Sequence, residues 1–228
     1  MWQGATDVLP EFDLLPPRTA LLVVDLQYLD AHPDYGMGRS ARESGVAERF
    51  SDYFQAIQEM LPRVKILRDA CRKHGIEVIY TVISSHVYDC RDVGLQHRRV
   101  KLLAPAGSKE AQILAEIAPT DNELVLKKGT SSAFNGTAID QILRNMGIET
   151  LIVAGVATNY CVESAVRDAS DRNYNVILVS DACAAVTFED HAFALRILHN
   201  TYCKVLTTEQ VLASIESAAT RNTGETDG

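Results

Sequence analysis

The chain has 228 residues, 46% of them hydrophobic, and a formal net charge of -8 at pH 7. A chain of this length can bury a large core, and one domain spanning 1–228 is the simplest organisation. The acidic balance argues against a nucleic-acid binder, which needs a basic face, and against attachment to an anionic membrane surface.

No apolar run approaches the ~20 residues that a membrane-spanning helix needs. The opening stretch MWQGATDVLPEFDLLPP has acids and prolines where a signal peptide would be basic and then apolar. A cytoplasmic location follows by default. Residues 1–17 read as an N-terminal arm that ends at Pro16-Pro17, and 220–228 as a flexible tail.

Between arm and tail, apolar runs alternate with helical patterns. The first run is TALLVVDL (19–26), with Asp25 after four apolar residues. A polar, glycine-containing loop follows, DAHPDYGMGRSARESG, and then a helical pattern over 46–60 in which Phe50, Tyr53, Phe54 and Ile57 share one face. The 30–60 segment is long for a strand-to-helix connection; a lid over a site and an oligomer contact fit it equally well.

Pro62 suits the first turn of a helix over 61–74, which glycine at 75 would end. The second strand is IEVIYTVIS (76–84). A helix over 108–117 leads to ELVLKK (123–128), and a helix over 137–146, closed by Gly147, leads to TLIVAGVA (150–157). Helix 159–172, strand NVILVSDA (175–182), helix 189–200, strand CKVLTT (203–208) and helix 208–219 complete the chain.

Most of these strands are apolar along their whole length and rich in β-branched residues, the pattern of strands covered on both faces. Six of them with helices between predict an α/β fold: a three-layer α/β/α sandwich around a mostly parallel six-stranded sheet. Ligands of such sheets bind beyond the carboxyl ends of the strands. That rule singles out Asp25 at the end of strand one, Lys128 at the end of strand three, and Cys161 just after strand four.

The five cysteines, at 71, 90, 161, 183 and 203, are odd in number and form no C-x-x-C pair, which fits neither a disulfide framework nor a zinc knuckle. Inert packing is the ordinary fate of a buried thiol. Cys161 differs by position: with Asn159 as a helix N-cap it falls in the first helical turn, where unpaired N–H groups and the helix dipole favour a thiolate and can hold an oxyanion. Asp25 is either a structural acid capping a loop or a general base for the thiol. Lys128 and its neighbour Lys127 point to opposite faces, so at most one of them turns toward the site.

Taken together, Asp25 after its apolar strand, Lys128 in K-x-x-x-S-A-F ending at Phe134, and G-V-A-T-N-Y-C-V-E-S-A with R-D-A downstream resemble the isochorismatase-like cysteine hydrolases. The likeness runs from about Thr19 to about Ser214, and Ser180-Asp181-Ala182 matches a further family segment. The resemblance implies an isochorismatase-like fold of Rossmann-like strand order and a catalytic Asp–Lys–Cys set carried to Asp25, Lys128 and Cys161. It also implies a cis peptide joining Val156 and Ala157, and an oxyanion hole of the Ala157 and Cys161 backbone N–H groups. A homodimer or homotetramer is implied as well.

The nicotinamidase branch carries a D-x-H metal motif after strand two. Here that region reads ISSHVYDCRD; His86, Asp89 and Asp92 do not match its order or spacing, so neither metal nor cofactor is expected. The retained cysteine points to an amide C–N bond, and the motif spacing to the carbamoyl and ureide branch that includes N-carbamoylsarcosine, ureidoacrylate, biuret and triuret hydrolases. The expected substrate is a small linear amide, attacked with water through a thioester. Gln27, Tyr28, Arg39, Phe134, Asn159 and Tyr160 are candidates for substrate contact, although the aromatics also suit core packing and Arg39 a solvated loop. Vinyl ether hydrolysis, a nicotinamidase-like amidase, and a catalytically silent binding or assembly protein on the same fold are the alternatives.

Overall fold

The computed structural model describes residues 12–224. The start of the expected arm, residues 1–11, and the end of the expected tail, residues 225–228, lie outside the described residues. Six strands form the sheet: β1 (Thr19–Val24), β2 (Glu77–Ile83), β3 (Leu124–Lys128), β4 (Thr150–Val156), β5 (Asn175–Ala184) and β6 (Lys204–Leu206). Every pairing is parallel, in the order β3-β2-β1-β4-β5-β6. This is the Rossmann-like order, and its direction reverses between β1 and β4, where ligands of open α/β sheets bind.

The helices are α1 (Gly36–Glu43), α2 (Ser51–Lys73), α3 (Leu95–Arg99), α4 (Ala133–Gly136), α5 (Ile139–Asn145), α6 (Glu163–Ser170), α7 (Phe188–Leu198) and α8 (Thr208–Gly224). Alternate strand residues feed two cores. Leu21, Val23, Tyr80, Ile152 and Val179 pack on α2 and α8. Leu22, Val24, Ile79, Val153 and Leu178 pack on α5 and α6. Burial of both strand faces explains the continuous apolar runs. Among the described residues no helix is long and apolar enough to cross a membrane.

Several local expectations change. α2 begins at Ser51, preceded by a 3-10 turn at Ala47–Phe50, and Pro62 stands inside it instead of in its first turn. The buried positions Tyr53, Ile57, Met60, Val64, Leu67 and Cys71 continue straight through the proline. Pro62 is exposed, so the carbonyl it leaves without a helical donor faces water, and the packed stripe outweighs the break. Tyr53 and Ile57 therefore belong to the chain's own core. Within the 30–60 segment, residues 36–43 are helical.

No α-helix forms over 108–117. Instead Tyr28 N–H donates to the Gln112 carbonyl and Leu114 N–H to the Leu26 carbonyl, with an antiparallel bridge between Gln27 and Ile113. The backbone that a helix would satisfy internally is given to the chain leaving β1. At the other end, α8 runs on to Gly224, through the first five positions read as tail.

Candidate active site

Three strand ends supply the centre. The chain leaves β1 through Asp25 in a left-handed conformation, φ 53°, uncommon for a residue other than glycine. Gly155 on β4 makes this close fit possible: a Cβ there would stand 2.0 Å from the Val24 carbonyl oxygen. Asp25 accepts from the Thr81 hydroxyl at 2.9 Å and from Lys128 Nζ at 2.7 Å. Lys128 also donates to the Thr130 carbonyl at 3.0 Å and approaches Cys161 Sγ at 3.4 Å, so all three of its donors are directed. Asp25 and Lys128 are 0% exposed and Cys161 6%.

Cys161 lies in a wide turn, Thr158–Val162, between β4 and α6. The Val156–Ala157 peptide is cis. The Ala157 carbonyl accepts from the N–H groups of Tyr160 and Val162. Asn159 is thus inside the turn and not its cap, and its Oδ1 is buried without a partner.

Burial, followed by the charge of Asp25, pushes the Cys161 thiol well above its usual 9.0 despite Lys128. The low-dielectric surroundings and the neighbouring carboxylate thus run against the thiolate expected from a helix end. Burial works against the charged form of Lys128, but Asp25 and Cys161 outweigh it and raise its pKa. The buried Asp25–Lys128 ion pair stands beside a thiol whose surroundings favour its neutral form. Such a group can take a proton from sulfur onto a carboxylate as the sulfur attacks an electrophilic carbon.

The other singled-out residues divide. Gln27 is buried, and its amide is committed to backbone: Nε2 donates to the carbonyls of Ile83 (2.9 Å) and Glu110 (2.8 Å), and Oε1 accepts from Ile83 N–H (2.6 Å). Arg39 is paired with Glu110 at 2.8 Å. Phe134 packs on Tyr174, and the Ser132 hydroxyl accepts its N–H. Tyr28 sits among His32 and Tyr35, with Lys109 Nζ 3.7 Å from its ring centre. Tyr160 is exposed. Asp181 of the S-D-A segment accepts from the Thr208 N–H and hydroxyl, which caps α8.

His86 and Asp92 are paired with each other at 3.0 Å, and Asp89 with Arg91 at 2.8 Å. Among the described residues no group of three or more His, Cys, Asp or Glu is arranged to hold a metal ion.

Sequence reasoning missed four neighbours of the centre. Thr81 is one. His97 is buried, and burial and then Lys128 lower its pKa. Tyr53 lies within electrostatic reach of Asp30, Cys161 and Asp25. Asp30 is 7% exposed; burial, reinforced by Asp25, holds its carboxyl well above the usual 3.8. An acid five residues after Asp25 in a strand-end loop was the available signal, but it reads as solvated from sequence.

A family model described as an isochorismatase domain matches residues 19–210. The chain is 31% identical over 165 residues to an uncharacterized isochorismatase family protein, YwoC, of Bacillus subtilis (strain 168), covering 69% of this chain and 84% of that protein. It is 35% identical over 130 residues to an N-carbamoylsarcosine amidase of Arthrobacter sp, covering 54% of this chain and 48% of that protein. The crystal structure of a cysteine hydrolase from Pseudomonas syringae pv. phaseolicola 1448A superposes with a TM-score of 0.77 at 27% identity, covering 92% of this chain and 98% of that one.

Proposed function

Because the chain belongs to the isochorismatase family, we propose that it is a cysteine-dependent amidohydrolase that cleaves the C–N bond of a small linear amide, a ureide or N-carbamoyl compound, with water. The observation that carries this is the Lys128 ammonium shared between Asp25 at 2.7 Å and Cys161 at 3.4 Å. The N-carbamoylsarcosine amidase relative supports the carbamoyl class.

In the proposed reaction Cys161 Sγ attacks the carbonyl carbon while its proton passes to Asp25. The resulting oxyanion is received by the backbone N–H groups of Ala157 and Cys161. Asp25 returns the proton to the leaving nitrogen, the C–N bond breaks, and ammonia or an amine departs from a thioester (a thiocarbamate for a ureide). Water then adds to that carbon and gives a proton to Asp25. The C–S bond breaks, and the proton returns to sulfur as the acid is released. Lys128 stays protonated throughout and offsets the charge that moves between carboxylate and sulfur.

Of the remaining candidates, Asn159, Tyr160 and Tyr28 are placed in contact with substrate in this proposal. Gln27 and Phe134 hold the frame, and Arg39 is engaged by Glu110. The chain acts as one domain, in the cytoplasm, as a homodimer or homotetramer. The exposed aromatics Phe188 and Phe193 support an assembled form.

The test is ammonia release from a panel of ureides, N-carbamoyl compounds, simple amides and isochorismate, with Cys161→Ala as the blank. Release from the carbamoyl compounds by the unaltered protein alone supports the proposal. Equal release by the variant, or turnover of isochorismate without ammonia, overturns it.

A further inference from the structure

Asp30 lies within electrostatic reach of Asp25 and Lys128, and one of its carboxyl oxygens, Oδ1, is buried with no hydrogen-bond partner. The loop that carries it is pinned on both sides of the residue. Ala31 N–H donates to the Gln27 carbonyl at 3.0 Å, Met37 N–H to the Leu29 carbonyl at 2.7 Å, and the Gln27 side chain is tied to two further segments. The carboxyl is therefore held inside instead of turning to water. Its electrostatic neighbours are Asp25 and Lys128, and it acts in turn on Cys161 and Tyr53. Burying a polar group and leaving it unpaired is costly, and native proteins rarely do so without cause.

We propose that Asp30 is a specificity-determining residue whose carboxyl pairs with a neutral, N–H-bearing amide end of the substrate, so that the site takes amide-terminated ureides and rejects carboxylate-terminated ones. This rests on the amidohydrolase reading and narrows its substrate class. Two arguments carry it. The first is the count of charges. The three donors of Lys128 are directed at Asp25, Thr130 and Cys161, and Arg39 is paired with Glu110. A substrate carboxylate would add a second negative charge beside Asp25, with the nearby cation already engaged.

The second argument is hydrogen-bond complementarity. Burial keeps the Asp30 carboxyl in its protonated form above the ordinary aspartate range. A neutral carboxyl accepts through one oxygen and donates through the other, and a primary amide does the same through its carbonyl and N–H. The two groups match in both bonds, and the pairing supplies the partner that Oδ1 lacks. A carboxylate has no N–H to give it.

The test uses matched reagents on the full chain. Cys161 is alkylated with iodoacetamide or iodoacetate, which differ only in an amide against a carboxylate end. Mass spectrometry follows the Cys161 peptide, and each rate is divided by that of the same reagent with free cysteine. The unaltered protein should favour iodoacetamide, and Asp30→Leu should reduce that preference about tenfold. Asp30→Asn, which retains one donor and one acceptor, should keep most of it. Asp30→Ala repeats the measurement should the leucine variant not fold. An unchanged preference in the leucine or alanine variant overturns the proposal, as does an equal loss in the asparagine variant, which would mark an effect of shape.

Steady-state rates on N-carbamoylglycinamide and N-carbamoylglycine give the parallel readout. The unaltered protein should favour the amide, and Asp30→Leu should lose that preference chiefly through a higher KM. If neither compound is hydrolysed, the ureide reading fails while the alkylation ratio still decides the role of Asp30.

Discussion

Lys128 donates to Asp25 at 2.7 Å although the two stand on strands that are not neighbours. β2 lies between them, pairing Val24 with Thr81 on one side and Lys128 with Ile83 on the other. A lysine has the reach to cross one strand end, and Thr81 on the crossed strand completes the contact by donating to the same carboxylate. The pair is fully buried, so its two charges depend on one another.

That dependence makes Lys128→Met a test of stability as well as of the proposed chemistry. Removing one partner of a buried pair leaves an uncompensated charge, and the loss expected is about 3–5 kcal/mol. Replacing both, with Asp25→Leu and Lys128→Met together, should recover most of it, because apolar groups of similar volume often substitute for a buried pair at little cost. Denaturant midpoints of the two single variants and the double variant measure this. A double variant no more stable than Lys128→Met would contradict it.

Cys161→Ala separates chemistry from folding. The sulfur sits in a site that Asp25 and Lys128 hold together without it, so stability should change by no more than about 1 kcal/mol. Turnover of the best carbamoyl substrate should fall by on the order of 10⁴ or more. Calorimetry and ammonia release on the same preparation report the two numbers.

The resting thiol should titrate late. Burial and Asp25 raise its pKa well above 9.0, so the iodoacetamide rate of the free protein should keep rising through pH 9 without a thiolate plateau below it. A plateau near neutral pH would mean that a helix-end effect prevails over burial after all.

Much of the fold was legible because burial leaves an unambiguous mark. β1 and β4 read as strands from unbroken apolar runs, and those runs exist because both faces of the sheet are covered. Asp25 and Lys128 stood out as charges ending such runs. What could not be read depends on partners distant in sequence. The 108–117 stretch has helix-forming residues, yet its backbone is given to Leu26 and Tyr28. Pro62 reads as a helix start, yet the stripe from Tyr53 to Cys71 carries the helix through it. Asp30 reads as solvated until the folded loop encloses it.

Gln27 should behave as a frame residue. Gln27→Leu strands the Ile83 N–H and the carbonyls of Ile83 and Glu110, three backbone groups that now pair with one side chain. At about 1 kcal/mol or more for each group, the melting temperature should drop clearly. Activity should fall as well, since this amide ties the chain leaving β1 to β2 and to the 108–117 segment. A variant with unaltered melting temperature but a raised KM would instead place Gln27 against the substrate.

Asp30 gives stability a pH dependence of definite sign. Its carboxyl keeps its proton in the folded chain above the ordinary aspartate value of 3.8, whereas the unfolded chain releases it there. Above that value the unfolded state therefore binds fewer protons, and stability falls as pH rises until Asp30 ionises in the folded state. Asp30→Asn removes this cost because its amide has no proton to lose. The variant and the unaltered protein should melt alike near pH 4. The variant should become progressively more stable by pH 7, with the gap levelling off once the folded carboxyl has titrated. Parallel melting curves across that range, with no widening gap, would show that the folded carboxyl ionises in the ordinary range despite its burial.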